Sequence, residues 1–224
     1  MRGRAALFLA DTRAVTLVEA AFLLAFLLPA LVVGFEIQRY VRQDHQIASA
    51  AEGLAVVLSH RARPIGGSAL SQDAEIVAAT FPELEKNHGA LWRESIGIQA
   101  TYLRFEPDNE SCISGDTCVY TRARVVWTWS GGTAGSRELL EARGLLRSCA
   151  ILQPGSTPGA GTLPEGVFGS GSLVAVDLVY AYRPAVLASL FASRHILRQA
   201  FLPPLYGDLE FDPSADLGEV SPCP

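Results

Sequence analysis

The residues from Ala14 to Phe35, "AVTLVEAAFLLAFLLPALVVGF", form an almost unbroken apolar run whose one carboxylate is Glu19. As a helix the run rises roughly 33 Å at about 1.5 Å per residue, enough to cross a hydrocarbon core of about 30 Å. The pattern then changes. Ile47, Ala51, Leu54 and Leu58 recur at spacings of four and three, which predicts that the helix continues past the bilayer with one apolar stripe. Pro64 with Gly66 and Gly67 should end it. The expected organisation is a cytoplasmic leader over 1–14, a transmembrane helix over 15–36, a helix continuation over 37–64 and an extracytoplasmic domain over 65–224.

Within that domain a helix is expected from Ser71 to Leu84, with Ile76, Val77 and Phe81 on one face. "IGIQATYLRF" and "VYTRARVVWTW" are rich in β-branched and aromatic residues and predict two strands of a hairpin, connected by "EPDNESCISGDTC". "SLVAVDLVYAY" predicts a third strand. The Gly- and Pro-rich stretch from Gln153 to Ser172 predicts a long surface loop. "PAVLASLFASRHILRQAF" is expected to form a short helix over the sheet, with the membrane surface as the alternative. The acidic "YGDLEFDPSADLGE" is expected to be solvated. The fold class is therefore α+β: a long N-terminal transmembrane helix followed by a small extracytoplasmic domain with an antiparallel sheet.

Charge gives the segment a direction. Arg2, Arg4 and Arg13 precede it with only Asp11 against them, which places the N-terminus in the cytoplasm and the bulk of the chain outside. All four cysteines, Cys112, Cys118, Cys149 and Cys223, lie beyond the apolar run, and none has CxxC spacing. Disulfides in an oxidising compartment are one reading and buried free thiols the other. Cys112 and Cys118 fall within the hairpin connection, where a bridge would staple a polar loop; Cys149 and Cys223 remain as a second pair by elimination. A cleaved secretory signal competes with the anchor. Against it stand the length of the run, its carboxylate, and the lack of a small-x-small site at "GFEIQRYV".

Pro29 lacks an N–H and leaves the carbonyl of Ala25 without its usual partner, which predicts a kink or local unwinding. Ala21 with Ala25, and Ala30 with Gly34, set small residues four apart, a spacing that lets another helix approach closely.

The search for chemistry yields no catalytic group. With 18 Lys and Arg against 23 Asp and Glu, the net charge is −5, and without a basic cluster a general affinity for nucleic acid is excluded. His45, His60, His88 and His195 stand far apart with no metal spacing. "GVFGSG" lacks a P-loop Lys, and "GSGSL" lacks the strand-to-helix context of a nucleophile elbow. Asp108, Asn109, Glu110 and Asp116 lack EF-hand spacing and read as a solvated loop. Trp92, Trp127 and Trp129 read as sheet packing. No cofactor or metal is expected.

Arg13 and Ala14 followed by "VTLVE" resemble the processing site of type IV pilins and pseudopilins, in which a basic and a small residue precede an apolar segment with Glu at its fifth position. Counted from Val15, Glu19 is fifth, and Ala14 stands where the family usually has Gly. Val18, Glu19, Pro29, Gly34 and Glu36 are similar to the pattern of TadE-like pseudopilins of tight-adherence (Tad) pilus systems. Val179 to Pro184, with Tyr-x-Tyr-x-Pro, resembles that branch's C-terminal pattern.

The resemblance implies cleavage between Ala14 and Val15 by a membrane-embedded prepilin peptidase, and a minor pilin or pseudopilin that partners other pilins and the Tad assembly machinery. It implies a bacterial inner-membrane protein with a periplasmic domain, able to enter a pilus, and no enzyme. A carboxylate near an interface is costly, about 2.5–3.5 kcal/mol at a helix centre and less toward the edge. Glu19 would repay that cost by meeting the new amine of Val15, its own or a neighbour's; snorkelling is the alternative. Two other functions follow from the same residues without processing: an uncleaved membrane-anchored envelope binding or scaffold protein, and an anchored extracytoplasmic enzyme, which would need convergent polar groups in a cleft.

Overall fold

The computed structural model describes residues 12–62, 65–108, 118–131, 133–157, 159–184, 186, 194–212 and 220–223. The chain forms two compact units, Met1–Arg42 with Arg183–Ala192, and Gln43–Tyr182 with Ser193–Pro224. One helix, α1 (Thr12–Ser59), supplies the first unit and continues into the second.

In the first unit α1 is apolar and open. Every described side chain from Ala20 to Phe35 is exposed except Val32, which is half-buried. The helix is continuous through Pro29. Only the N–H that proline lacks is lost from the ladder.

In the second unit the same helix buries Ile47, Ala50, Ala51, Leu54, Ala55 and Leu58. The stripe predicted from spacing is thus a core face. It ends at Ser59, whose carbonyl accepts the N–H of Leu205 at 2.9 Å. Instead of one helix over Ser71–Leu84, three short ones follow: α2 (Gly67–Asp73), α3 (Glu75–Thr80) and α4 (Glu83–His88). Pro82 explains the last break, since it has no N–H to continue a helix. Val77 and Phe81 are nonetheless both buried, and Phe81 packs edge-on against Tyr180 at 5.1 Å between ring centres. Gln43 on α1 donates to Glu83 at 2.7 Å, which ties α4 to the long helix.

The sheet has as its described strands β1 (Ile96–Pro107), β2 (Tyr120–Ser130), β3 (Ile151–Pro154), β4 (Thr162–Leu163), β5 (Ser172–Tyr182), β6 (Arg194–Leu202) and β7 (Val220–Pro222). Their order is β4-β3-β2-β1-β5-β6, with β7 also on β2. The hairpin β1–β2 and the strand β5 lie where the β-branched runs predicted them. The purely antiparallel sheet expected from sequence is corrected to a mixed one, because β3 and β4 pair in parallel. These two strands fall in or beside the stretch read as a long loop, where two residues of ladder are too short to leave a period.

A second correction concerns Arg194–Leu202. It is an edge strand antiparallel to β5, not part of a helix; residues 185 and 187–193 before it lie outside the described residues. The acidic tail is exposed at Tyr206, Gly207, Asp208 and Glu210, as expected, and it also touches the domain. Asp208 accepts from the Tyr102 hydroxyl at 2.8 Å and pairs with Arg104, Leu209 is buried, and Ile65 bridges Phe211. The tail docks as far as it is described; residues 213–219 lie outside the described residues.

Both faces of the sheet are covered. On one face Trp127 and Trp129 are buried with Tyr102, and Tyr102 stacks on Trp127 at 6.1 Å. The other carries Leu103, Phe105, Ala123, Val125 and Leu173, clustered with Leu152 of β3 and Leu163 of β4. A register shift in β2 opposite Tyr102 and Leu103 makes this possible. Val126 is the extra residue, so Val125 and Trp127 face opposite ways although two positions apart. Helix α5 (Ala134–Ala142), capped by Thr133 Oγ1 accepting from Ser136 N at 3.2 Å, places Leu140 on the second face beside Leu145 and Val179. Gly97 allows this close approach, since a Cβ there would lie 3.1 Å from both Leu140 Cγ and Ser136 O.

Candidate functional site

The apolar half of α1 is the feature that the chain cannot leave in water. Phe22, Leu23, Leu24, Phe26, Leu27, Leu28, Leu31, Val33 and Phe35 are all exposed, Phe26 by 76%. Covering that many large side chains is worth on the order of 10–20 kcal/mol, as much as a whole domain's net stability. The segment is long and apolar enough, by length and composition, to cross a membrane. A helix apolar all round calls for lipid or for other helices as its surroundings.

Glu19 is exposed on this helix. The small residues Ala21, Ala25, Ala30 and Gly34 are exposed too, and a Cβ added at Gly34 would meet nothing within 4 Å. Backbone could approach backbone there. The helix already includes Ala14 and Val15, whose side chains, like residues 1–11, lie outside the described residues. A peptidase acting between them would have to open the first turn, where the N–H groups lack intrahelical acceptors and fray most easily.

Cys149 and Cys223 are bridged. The bond joins the residues flanking β3 and β7, the two strands that share the outer edge of β2. They meet at the bulge: Val125 N donates to Ala150 O at 3.2 Å and Cys223 N to Val126 O at 2.9 Å. Cys118 is disulfide-bonded, and Cys112 lies outside the described residues. Of the loop acids, Asp108 accepts from Thr121 at 2.7 Å and lies beside Arg122, while Asn109, Glu110 and Asp116 lie outside the described residues.

Sequence reasoning passed over a buried polar cluster. Asp177 sits in the middle of β5 and pairs with Arg147, both side chains fully buried. Gln199 of β6 donates to the same carboxylate, and Gln99 of β1 accepts from Arg147 N at 3.1 Å. Gln99, Asp177 and Gln199 are directly opposite one another across three strands, so the row follows from register. Burial pushes the Asp177 carboxyl above its usual range, against the Arg147 charge and the hydrogen bonds from Gln199 and Arg147. With Arg147 and Asp177 closed to solvent and Gln199 half-buried at the edge, the cluster pins the turn after α5 to the sheet. The available signal was a lone Asp inside "VAVDLVY".

Among the described residues no three His, Cys, Asp or Glu side chains are placed to hold a metal ion. His195 on β6 is half-buried, and burial together with the nearby Arg143 charge holds its imidazole below the usual value. No family model matches the chain, and no characterised protein or solved structure of significant similarity is found for it.

Proposed function

We propose that the chain is a minor pilin or pseudopilin of a Tad-type pilus or secretion apparatus, working by assembly rather than catalysis. The observation that carries the reading is a single continuous helix, open and apolar in its first half and packed as a domain core in its second. Such a helix suits storage in the inner membrane and transfer into a bundle of sister helices, where repeated head-to-tail contacts make an open filament. Arg13, Ala14 and Glu19 supply the processing and registry pattern described above. The prepilin peptidase cuts between Ala14 and Val15, Glu19 guides docking through the new amine, and the disulfide-bearing domain faces the periplasm.

N-terminal analysis of the protein from its native membrane is the test. A chain that begins at Val15 is the expected result, with Glu19→Ala lowering incorporation or partner contact in an assembly assay. A second reading, an uncleaved anchored scaffold, draws on the helical state of the Ala14–Val15 bond. Retention of Met1 in cells with an active prepilin peptidase selects it over the first.

A further inference from the structure

We propose that the outer edge of β2 is a strand-acceptor site with two alternative occupants, the chain's own β7 and the β7 of a second copy, and that the Cys149–Cys223 bond selects the first. The inference concerns the second unit alone and stands apart from what surrounds α1. On its inner side β2 pairs with β1 from Tyr120 to Ser130. Its outer side is patched by short strands, β3 at Ala123 and Arg124 and β7 at Trp127, Thr128 and Trp129, with the Val126 bulge between them. Strand β3 has further support, because it pairs with β4 and buries Leu152 in the cluster around Leu103. Strand β7 has little. Its ladder runs over three residues, one of them Pro222, which has no N–H to donate; beyond it Cys223 N donates to Val126 O at 2.9 Å.

Hydrogen bonds in so short a strand are offset by the entropy of ordering it, so β7 does not hold the edge by its ladder. The covalent tie to Cys149, 74 positions away, keeps it there. The edge itself is fixed without β7: Trp127 and Trp129 are 0% and 1% exposed, and Trp127 stacks on Tyr102 and donates its Nε1–H to Leu209 O at 3.1 Å. A preformed edge with outward N–H and C=O groups is a template for an added strand. The strand that matches it is β7, and a second copy's β7 carries the same residues, so the ladder made in cis can form again in trans. Closure of the bond decides between the two. The Cys149 and Cys223 thiols give two electrons and two protons to a disulfide oxidant, which leaves as a dithiol, and the new S–S bond fixes whichever β7 lies on the edge. A dithiol reductant, itself oxidised to a disulfide, frees the occupant again.

The test compares the full chain in detergent with its Cys149→Ser/Cys223→Ser variant by hydrogen exchange; Cys118 stays bridged in both. The amides of β7 and the outward amides between Val126 and Trp129 should exchange at least about 100-fold faster in the variant, while those of the β1–β5 ladder stay within about threefold. Unchanged protection at β7 overturns the latch, because the strand then holds itself. Protection lost throughout β1 and β5 overturns it too, because the bond then holds the whole domain. For the second occupant, Cys149→Ser and Cys223→Ser copies are reconstituted together in equal amounts in liposomes of phosphatidylethanolamine and phosphatidylglycerol and treated with oxidised glutathione. Non-reducing electrophoresis should show the dimer of unlike copies, joined through Cys149 and Cys223, about tenfold or more above each dimer of like copies. A ratio of about two, as random collision gives, overturns exchange between copies.

Discussion

The two halves of α1 carry similar apolar residues to opposite ends. From Ala20 to Phe35 they are exposed at every position but Val32, whereas from Ile47 to Leu58 they form a stripe that is fully buried. Hydrophobicity alone does not distinguish the halves; its angular distribution does. The second half has polar residues, among them Asp44 paired with Arg198 and Gln43 bonded to Glu83, that fix which side turns inward. The first half has no polar face to spare, so its partner must be apolar in every direction.

That contrast makes the domain half sensitive to single changes and the open half tolerant. Arg147→Ala should have the largest effect, because it strands Asp177 in a site without water. A loss of about 3–5 kcal/mol is expected in urea unfolding of the detergent-solubilised full chain. A loss below about 1 kcal/mol would mean that the cluster is hydrated and the domain core looser than its burial implies.

Within α1 itself, Leu54→Ala should cost about 2–5 kcal/mol in the same measurement, since Leu54 is 1% exposed. Leu27→Ala should change it by no more than about 0.5 kcal/mol, because the Leu27 side chain is 53% exposed. Equal effects at the two positions would erase the distinction between the halves.

The smallest effect concerns pH. The folded-state pKa of His195 is lowered, so below about 6.5 the unfolded chain takes up this proton before the folded one does. The contribution of His195 to stability is present above that value and is lost as pH falls through the folded pKa. His195→Gln should remove this part of the decline in Tm between about pH 7.5 and 5.5, a small change because the ring is half-buried and still screened by solvent. A steeper decline in the variant would reverse the sign and point to an unseen anion beside the ring.

The local pattern of β1, β2 and β5 was legible because β-branched runs of that length bounded by turn residues have few other solutions. Strand β6 was not. In "HILRQAF" the apolar residues Ile196, Leu197, Ala200 and Phe201 fall in adjacent pairs four apart, which mimics a helix. Only β5 on one side, with Asp44 and Asp177 taking up Arg198 and Gln199, makes an extended form the better solution. The bulge at Val126 was equally hidden. Alternation would send Ala123, Val125, Trp127 and Trp129 to one face, and the extra residue divides them between two.

The sequence by itself determined the long helix, its change from an all-round apolar run to a stripe, and the three central strands. Each of these is a local periodicity, repeated often enough to outweigh its alternatives. Tertiary structure decided the pairing of Asp177 with Arg147, the joining of β3 and β7 through Cys149 and Cys223, and the hold of Glu36 on Val186. A polar group's partner depends on what the fold brings within hydrogen-bond reach, and residues so distant along the chain leave no period by which to foresee it.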